Sequence, residues 1–135
     1  MVAKGSLTTA SFFSLLSGSL SVRQSNFTNN TAYAIVNVAQ DQVHVNISET
    51  FFLGNRMSKA PILFTAIPSL DVSDSIFVQN TGLSLGGAIA VHLDPTTGDG
   101  SGTSRVSITD SVFAENSGAK SGAIVIVDIS EQGFF

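Results

Sequence analysis

A Phe-x-x-Asn motif recurs four times along this chain, and few folds can accommodate such regularity. The pairs are Phe27 with Asn30, Phe52 with Asn55, Phe77 with Asn80, and Phe113 with Asn116. Successive Phe residues are 25, 25 and 36 positions apart. Before each Phe stand two aliphatic residues in alternation and a Ser or Thr, as in "LDVSDSIF". A fixed internal period of this length is typical of a repeat architecture.

A second block of small and apolar residues follows each motif. The four copies read "YAIVNVA", "APILFTAI", "GGAIAVHL" and "SGAIVIVDI". The spacing between the two blocks varies, so we expect connections of unequal length between conserved strands. Gly86, Gly87 and Gly122 are expected to allow a sharp turn before the second block. Residues 94–104, "DPTTGDGSGTS", read as an inserted loop.

The alternation within the first block indicates β-strands. Leu70 and Val72 point to one side of such a strand, and Asp71 and Ser73 to the other. One repeat cannot bury its apolar side alone, but stacked repeats share a continuous core. The sequence therefore predicts an all-β fold, a parallel β-helix (solenoid) of about four to five coils. An antiparallel sandwich or barrel is the alternative, but no Asn-Gly or Asp-Gly hairpin turn links the blocks.

In this β-helix, equivalent residues of successive coils lie directly above one another. Two structural ladders are therefore expected, an aromatic one in the core and an amide one at a bend. Their members are Phe27, Phe52, Phe77 and Phe113, and Asn30, Asn55, Asn80 and Asn116.

The whole chain, residues 1–135, is expected to form a single β-helix segment. A partial coil at 7–19 precedes repeats that start near residues 20, 45, 70 and 106. Neither terminus resembles the polar cap that a solenoid needs. We therefore expect a fragment of a longer solenoid, or a chain that stacks end-on.

The pairing of "FVQN" with "GGAI", and of "FAEN" with "SGAI", resembles the repeat of chlamydial polymorphic membrane proteins. Similar repeats occur in large surface proteins of algae and other protists. The resemblance covers about residues 20 to 129. It implies a right-handed β-helix in a secreted or surface-displayed protein, often an adhesin or a structural stalk.

The sequence offers little for catalysis, cofactors or metals. It has no cysteine, and its net charge of −4 with only six Lys and Arg lacks the basic character of nucleic-acid binders. Glu49, Asp74 and Asp110 share one repeat position, which could bind Ca²⁺, but such residues more often accept backbone hydrogen bonds at a turn. His44 and His92 are isolated and more typical of surface or packing residues. We predict no catalytic, cofactor-binding or metal-ligating residue, no cofactor and no membrane span.

Two further features concern the surface. Asn26, Asn29 and Asn46 lie in Asn-x-Ser/Thr sequons and could carry glycans in a secreted eukaryotic protein. The second block is apolar at successive positions, which suggests that both faces of its strands are covered. If Ile35, Ile62, Ile89 and Ile124 face the core, an outward contact stripe is expected at Val36, Leu63, Ala90 and Val125.

These patterns favour a non-catalytic repeat segment of a cell-surface or extracellular protein, acting as adhesin, stalk or assembly scaffold. The expected partners are other protein chains or the remainder of a longer chain, laterally or end-on, with glycans as a further candidate. Two alternatives remain: a carbohydrate-active β-helix enzyme of the polysaccharide lyase or hydrolase type, and a glycan- or ice-binding module. A groove with two carboxylates and a basic residue would favour the enzyme, and regular Thr-x-Thr rows would favour ice binding.

Overall fold

The computed structural model describes residues 1–5, 7, 10–38, 43–64, 69–93 and 105–128. Every regular element within these ranges is a β-strand. In chain order the strands are β1 (Val2–Lys4), β2 (Phe13–Leu15), β3 (Ser19–Arg23), β4 (Asn26–Thr28), β5 (Thr31–Ala32), β6 (Val36–Val38), β7 (His44–Ser48), β8 (Phe51–Leu53), β9 (Arg56–Met57), β10 (Ile62–Phe64), β11 (Ser69–Ser73), β12 (Ile76–Val78), β13 (Thr81–Gly82), β14 (Ile89–Leu93), β15 (Arg105–Thr109), β16 (Val112–Ala114), β17 (Ser117–Gly118) and β18 (Ile124–Asp128). The prediction of an all-β chain is confirmed.

The strands form four sheets, and all the strand pairings described are parallel. The Phe sheet has the order β1-β4-β8-β12-β16, and the Ile sheet β2-β6-β10-β14-β18. The aliphatic sheet has the order β3-β7-β11-β15, and the short sheet β5-β9-β13-β17. Strands β2 to β14 therefore each pair with the strand four places further along the chain, while β1 pairs with β4. From β3 onwards, each repeat contributes one strand to every sheet.

The core consists of side chains from the inner faces of all four sheets, the short sheet contributing Ala32 and Met57. In the aliphatic sheet, alternate residues are buried because the side chains of a strand point to opposite faces. One column there contains Leu20, Val45, Leu70 and Val106, and the next contains Val22, Ile47, Val72 and Ile108. Val45, Ile47 and Leu70 are fully buried, whereas the members in the first and last repeats are more exposed. The central repeats thus provide the most continuous apolar packing.

Each repeat has two bends at residues in the left-handed backbone region. Between the aliphatic and Phe sheets, these residues are Gln24, Glu49, Asp74 and Asp110, with φ of 48° to 50°. Between the Phe and short sheets, they are Gly5, Asn29, Gly54, Gln79 and Glu115, with φ of 53° to 63°. Glutamine and glutamate are uncommon in this region. The sequence predicted a turn at the acidic positions and a bend at the motif Asn, but it did not indicate the left-handed conformation of the Gln and Glu residues.

The predicted role of the second-block glycines needs correction. Gly86, Gly87 and Gly122 are not among the residues with positive φ, so backbone freedom does not explain them. Gly87 instead allows close backbone approach, because an added Cβ would lie 2.2 Å from the Gly122 carbonyl oxygen. Gly82 is tighter still, with a Cβ position 2.0 Å from the Gly86 carbonyl oxygen and 2.4 Å from that of Lys59. The backbone at Gly86 and Gly122 therefore occupies the space that a side chain at position 82 or 87 would need.

Replacing Gly82 with alanine should destabilise the chain by about 2–3 kcal/mol, because backbone atoms rather than a flexible side chain block the new methyl group. The matched control is Gly122→Ala, whose Cβ would lie 3.0 Å from its nearest neighbour, and which should cost under about 1 kcal/mol. Urea denaturation followed by circular dichroism measures both. Equal losses for the two variants would contradict the steric explanation.

The register of the Ile sheet corrects the predicted contact stripe. Val36 pairs with Ile62, which pairs with Ile89, which pairs with Ile124. Val36 is therefore a fully buried core residue rather than an outward one. Ile35, which directly precedes β6, is also fully buried in the core, as predicted. The shorter connection before β6 therefore changes which residue stands in register with Ile62.

The remaining stripe positions are not a continuous exposed surface either. Ala90 is fully buried in a small second cluster with Ala34, Ala60 and Leu85, against which the half-buried Val125 packs. Ala90 and Val125 lie within β14 and β18, whereas the other three residues lie in the connections that precede strands of the Ile sheet. These connections therefore cover part of its outer side. The Leu63 side chain lies outside the part of the structure that is described.

The predicted repeats start close to observed strands. Strands β3, β7, β11 and β15 begin at residues 19, 44, 69 and 105. The N-terminal region supplies two strands, since β1 pairs with β4 and β2 pairs with β6. Strand β1 therefore lies before the partial coil expected at 7–19, and β2 lies within it. The inserted loop at 94–104 lies outside the described residues.

Candidate functional site

The Phe residues of the repeated motif form one stacked column in the core. The ring centroids of Phe27 and Phe52 are 5.2 Å apart, those of Phe52 and Phe77 are 4.5 Å apart, and those of Phe77 and Phe113 are 4.8 Å apart. Interplanar angles of 11° or less make the rings nearly parallel. The first three rings are fully buried. Parallel in-register strands impose this spacing, because the rings follow the inter-strand distance.

The Asn residues of the motif form a hydrogen-bonded ladder next to the rings. The Oδ1 atom of Asn80 accepts hydrogen bonds from the backbone N–H of Asn55 at 3.1 Å and from its Nδ2 at 2.9 Å. Asn80 Nδ2 donates in turn to Asn116 Oδ1 at 3.0 Å and to the Phe52 carbonyl oxygen at 2.8 Å. Asn30 and Asn55 repeat this pattern. Each amide oxygen thus accepts from the backbone N–H of the preceding Asn at the bend, and each amide nitrogen donates to a motif Phe carbonyl.

A third column consists of hydroxyl groups and was not assigned from the sequence. Its members, two positions before each motif Phe, are Ser25, Thr50, Ser75 and Ser111. Each hydroxyl donates to the carbonyl oxygen two residues earlier, at 2.7 to 2.9 Å. The Ser75 and Ser111 hydroxyls also accept from the backbone N–H of the preceding member at 3.2 Å. Ser and Thr are suited to such bends because their short side chains reach nearby backbone groups.

The acidic positions considered for Ca²⁺ lie at the first bend. Glu49 accepts from Arg23 Nη2 at 3.0 Å and from Gln24 Nε2 at 2.8 Å. Arg23 and Glu49 are exposed, so this ion pair contributes little to stability. Within the described ranges, no three His, Asp or Glu side chains gather closely enough to hold a metal ion.

The Glu49 carboxyl should titrate at unusually low pH. Its pKa is lowered, first because the Gln24 side chain donates to the carboxylate and second because Arg23 does. A lowered folded-state pKa means that the ionised group favours the fold above its unfolded-state pKa. That contribution is lost as the pH falls through the folded-state pKa. We expect NMR titration of Gln24→Ala to show a raised Glu49 pKa. The control Gln79→Ala, in which a Glu115 partner is lost instead, should leave the Glu49 pKa unchanged.

The outer face of the aliphatic sheet carries a small polar group. Asp71 Oδ1 lies 3.6 Å from Arg105 Nη2, and Asp71 Oδ2 lies 3.7 Å from His44 Nε2. His44 Nδ1 lies 2.9 Å from the Ser69 hydroxyl. One carboxylate is present here, whereas the criterion set for an enzyme groove required two. The side chain of His92 lies outside the described residues.

The three sequon asparagines have exposed side chains. Asn26 and Asn29 flank Phe27, and Asn46 lies on the outer face of β7. The Asn26 Oδ1 atom accepts a hydrogen bond from the Thr28 hydroxyl, the sequon's own third residue. Asn29 occupies the second left-handed bend.

An exposed apolar face occurs on the outer side of the Phe sheet, where sequence reasoning had not placed one. Residues on either side of a buried motif Phe point outward, because the strand alternates. In β8, β12 and β16 these residues are Phe51, Leu53, Ile76, Val78, Val112 and Ala114. Phe51 is 50% exposed and Val112 is 52% exposed. The sequence could have indicated this face, because an apolar residue stands on each side of Phe52 and of Phe77.

Neither the described strands nor comparisons with known proteins assign a family. Within the described ranges, no helix is long and apolar enough to cross a membrane. The geometry brings together three internal columns and leaves two distinct outer faces, one polar and one apolar. No family model, curated protein or solved structure matches this chain.

Proposed function

We propose that this chain is a segment of a right-handed parallel β-helix and serves as a non-catalytic structural repeat of a cell-surface or extracellular protein. The role is that of a stalk, adhesin or assembly scaffold. The observation that carries the proposal is the alignment of three side-chain columns, aromatic, amide and hydroxyl, across four successive repeats. Contacts of this kind between neighbouring repeats stabilise an extended, quasi-one-dimensional structure.

The extracellular assignment draws support from the motif and from the surface. The Phe-x-x-Asn and Gly-Gly-Ala-Ile pair resembles repeats of surface-displayed proteins. The exposed side chains of Asn26, Asn29 and Asn46 make these sequons accessible to glycosylation in a secretory pathway. Expression through a eukaryotic secretory pathway, followed by mass spectrometry, tests this assignment. Secreted chain with all three asparagines unmodified would contradict the glycoprotein part of the proposal.

The scaffold role draws support from the apolar face of the Phe sheet. A contiguous exposed apolar surface on a polar protein usually marks a contact site. Phe51 and Val112 are its most exposed members. We expect second copies of the chain to associate through this face. Sedimentation should show association that the double variant Phe51→Ser, Val112→Ser abolishes, while a monomer at all concentrations would remove lateral assembly from the proposal.

Single-molecule stretching tests the structural role directly. Successive Asn residues of the ladder are 25, 25 and 36 positions apart. Release of one 25-residue repeat should lengthen the chain by about 90 Å at full extension. We expect stepwise lengthening of this size under load. Release of reducing ends from a panel of polysaccharides incubated with the chain would instead favour the carbohydrate-active enzyme.

A further inference from the structure

The outward side of the Phe sheet is apolar in β8, β12 and β16 but polar in β4. The apolar face consists of Phe51, Leu53, Ile76, Val78, Val112 and Ala114. In β4 the corresponding outward positions hold Asn26 and Thr28, which stand in register with Phe51 and Leu53. The polar pair therefore borders the apolar face and continues its two columns by one strand.

The same polar pair belongs to a glycosylation sequon. Asn26, Phe27 and Thr28 form an Asn-x-Thr sequence, and in a strand the first and third residues point to the same side. Phe27 is fully buried, whereas the Asn26 side chain is exposed. The Thr28 hydroxyl donates to Asn26 Oδ1, and none of the described residues forms a hydrogen bond with Asn26 Nδ2, the atom to which a glycan attaches. Folding therefore leaves room for a glycan at this position.

The other two sequons lie outside the columns of the apolar face. Asn29 lies at the second left-handed bend, and an added Cβ on Gly54 would lie 2.4 Å from its Oδ1 atom. The Asn29 amide therefore lies over the bend of the next repeat. Asn46 lies on the outer face of the aliphatic sheet, in register with Ser21 and Asp71. Of the three sequon asparagines, Asn26 alone stands in a column of the apolar face.

The apolar face is small for a contact between proteins. Three strands with two outward residues each span about 200 Å², whereas a stable interface covers about 800 Å² on each partner. Association through this face is therefore weak and sensitive to the loss of Phe51, which is 50% exposed. A glycan on Asn26 begins one strand spacing, about 4.8 Å, from Phe51. Because N-linked glycans are bulky and hydrophilic, one at this position covers the neighbouring part of the face.

We propose that an N-linked glycan on Asn26 covers the Phe51 end of the apolar face and prevents copies of the chain from associating through it. The co-reactant is a lipid-linked oligosaccharide pyrophosphate of a secretory pathway. Asn26 Nδ2 bonds to C1 of the first sugar and loses one proton, the bond from C1 to the pyrophosphate oxygen breaks, and the lipid pyrophosphate leaves. Attachment rests on the extracellular assignment proposed above, and the effect on assembly rests on the proposed lateral association.

Hydroxyl-radical labelling of the full chain in dilute solution, after secretion by eukaryotic cells, tests the cover directly. Mass spectrometry should show about threefold lower labelling of Phe51 in the glycosylated chain than in Asn26→Gln, because the glycan shields the ring. Asn46→Gln is the matched control, since it loses a sequon from the aliphatic sheet and should keep Phe51 shielded. Equal labelling of Phe51 in the unsubstituted chain and in Asn26→Gln, or secreted chain without a glycan on Asn26, would overturn the proposal.

A second variant separates loss of the glycan from replacement of the Asn26 side chain. Thr28→Val abolishes the sequon while Asn26 stays in place, so Phe51 should be labelled as strongly as in Asn26→Gln. Valine resembles threonine in shape and suits a strand, so the fold should persist. Continued shielding of Phe51 in Thr28→Val would show that the glycan is not what covers the ring.

Sedimentation tests the effect on assembly. The glycosylated chain and Asn46→Gln should remain monomers at concentrations at which Asn26→Gln, and the unglycosylated chain produced in bacteria, associate. Equal association of the glycosylated chain and Asn26→Gln would overturn the effect of the glycan on assembly. If the unglycosylated chain also remains a monomer, lateral association fails and the assembly part of the proposal fails with it, while the labelling of Phe51 still decides the cover.

Discussion

The Phe77→Ala variant should unfold at much lower denaturant concentration than the unsubstituted chain, with a loss of about 4 kcal/mol in the free energy of unfolding. Phe77 is fully buried, and its ring stacks on two others at centroid distances of 4.5 and 4.8 Å. Truncation removes the transfer energy of the ring and leaves a cavity between Phe52 and Phe113. In-register strands fix the separation of these two rings, so they cannot close the gap without breaking strand pairing.

Phe51→Ala is the matched control for this prediction. Phe51 lies in the same sheet beside Phe52, but its side chain points outward and is 50% exposed. Its truncation should cost less than about 1 kcal/mol. Guanidinium denaturation followed by circular dichroism gives both values. Similar losses for Phe51→Ala and Phe77→Ala would mean that the aromatic column has no special part in stability.

The parallel all-β character could be predicted because the repeat keeps constant offsets where strands pair most regularly. From β3 to the Asn of each motif the spacing does not change, so Phe27 and Phe52 could be aligned by counting. The second block follows connections of unequal length, so its residues cannot be aligned between repeats by a constant offset from the motif. A one-residue slip placed Ile35 rather than Val36 beside Ile62, so Val36 was assigned to the outer face although both residues are buried in the core.

Other features depend on geometry that residue types do not reveal. Gln24 and Glu49 adopt positive φ although neither residue favours it, because the bend is set by the strands on both sides. Gly82 is required by the approach of the Gly86 carbonyl oxygen, a contact made by folding rather than by local preference. These features could not have been found before the strands were placed.

The two ladders combine different kinds of interaction at the same positions. The stacked rings exclude water from the bend, while the Asn side chains pair the backbone groups that this exclusion would leave unsatisfied. Hydrogen bonds formed away from water are costly to lose, because their partners cannot recover them from solvent. Substitution in the amide ladder should therefore be as damaging as loss of a ring, although the side chain removed is smaller.

Asn80→Ala should accordingly lower the free energy of unfolding by about 4 kcal/mol. The substitution deletes four hydrogen bonds, two accepted from Asn55 and two donated, to Asn116 and to the Phe52 carbonyl oxygen. It leaves the buried Asn55 N–H without a partner and removes the Asn80 hydrogen bond from the Phe52 carbonyl oxygen. Hydrogen exchange should show accelerated exchange of the Asn55 amide before the rest of the central strands.

Asn116→Ala distinguishes loss of the ladder from a general intolerance of alanine at the bend. Asn116 forms the same contacts on one side, accepting from Asn80 and donating to the Phe77 carbonyl oxygen, but it is half-exposed. Water can therefore replace part of what the substitution removes, and the loss should be about 1–2 kcal/mol. A loss at Asn80 no greater than that at Asn116 would show that burial does not strengthen the central rung. The amide ladder would then be a consequence of strand pairing rather than a cause of its stability.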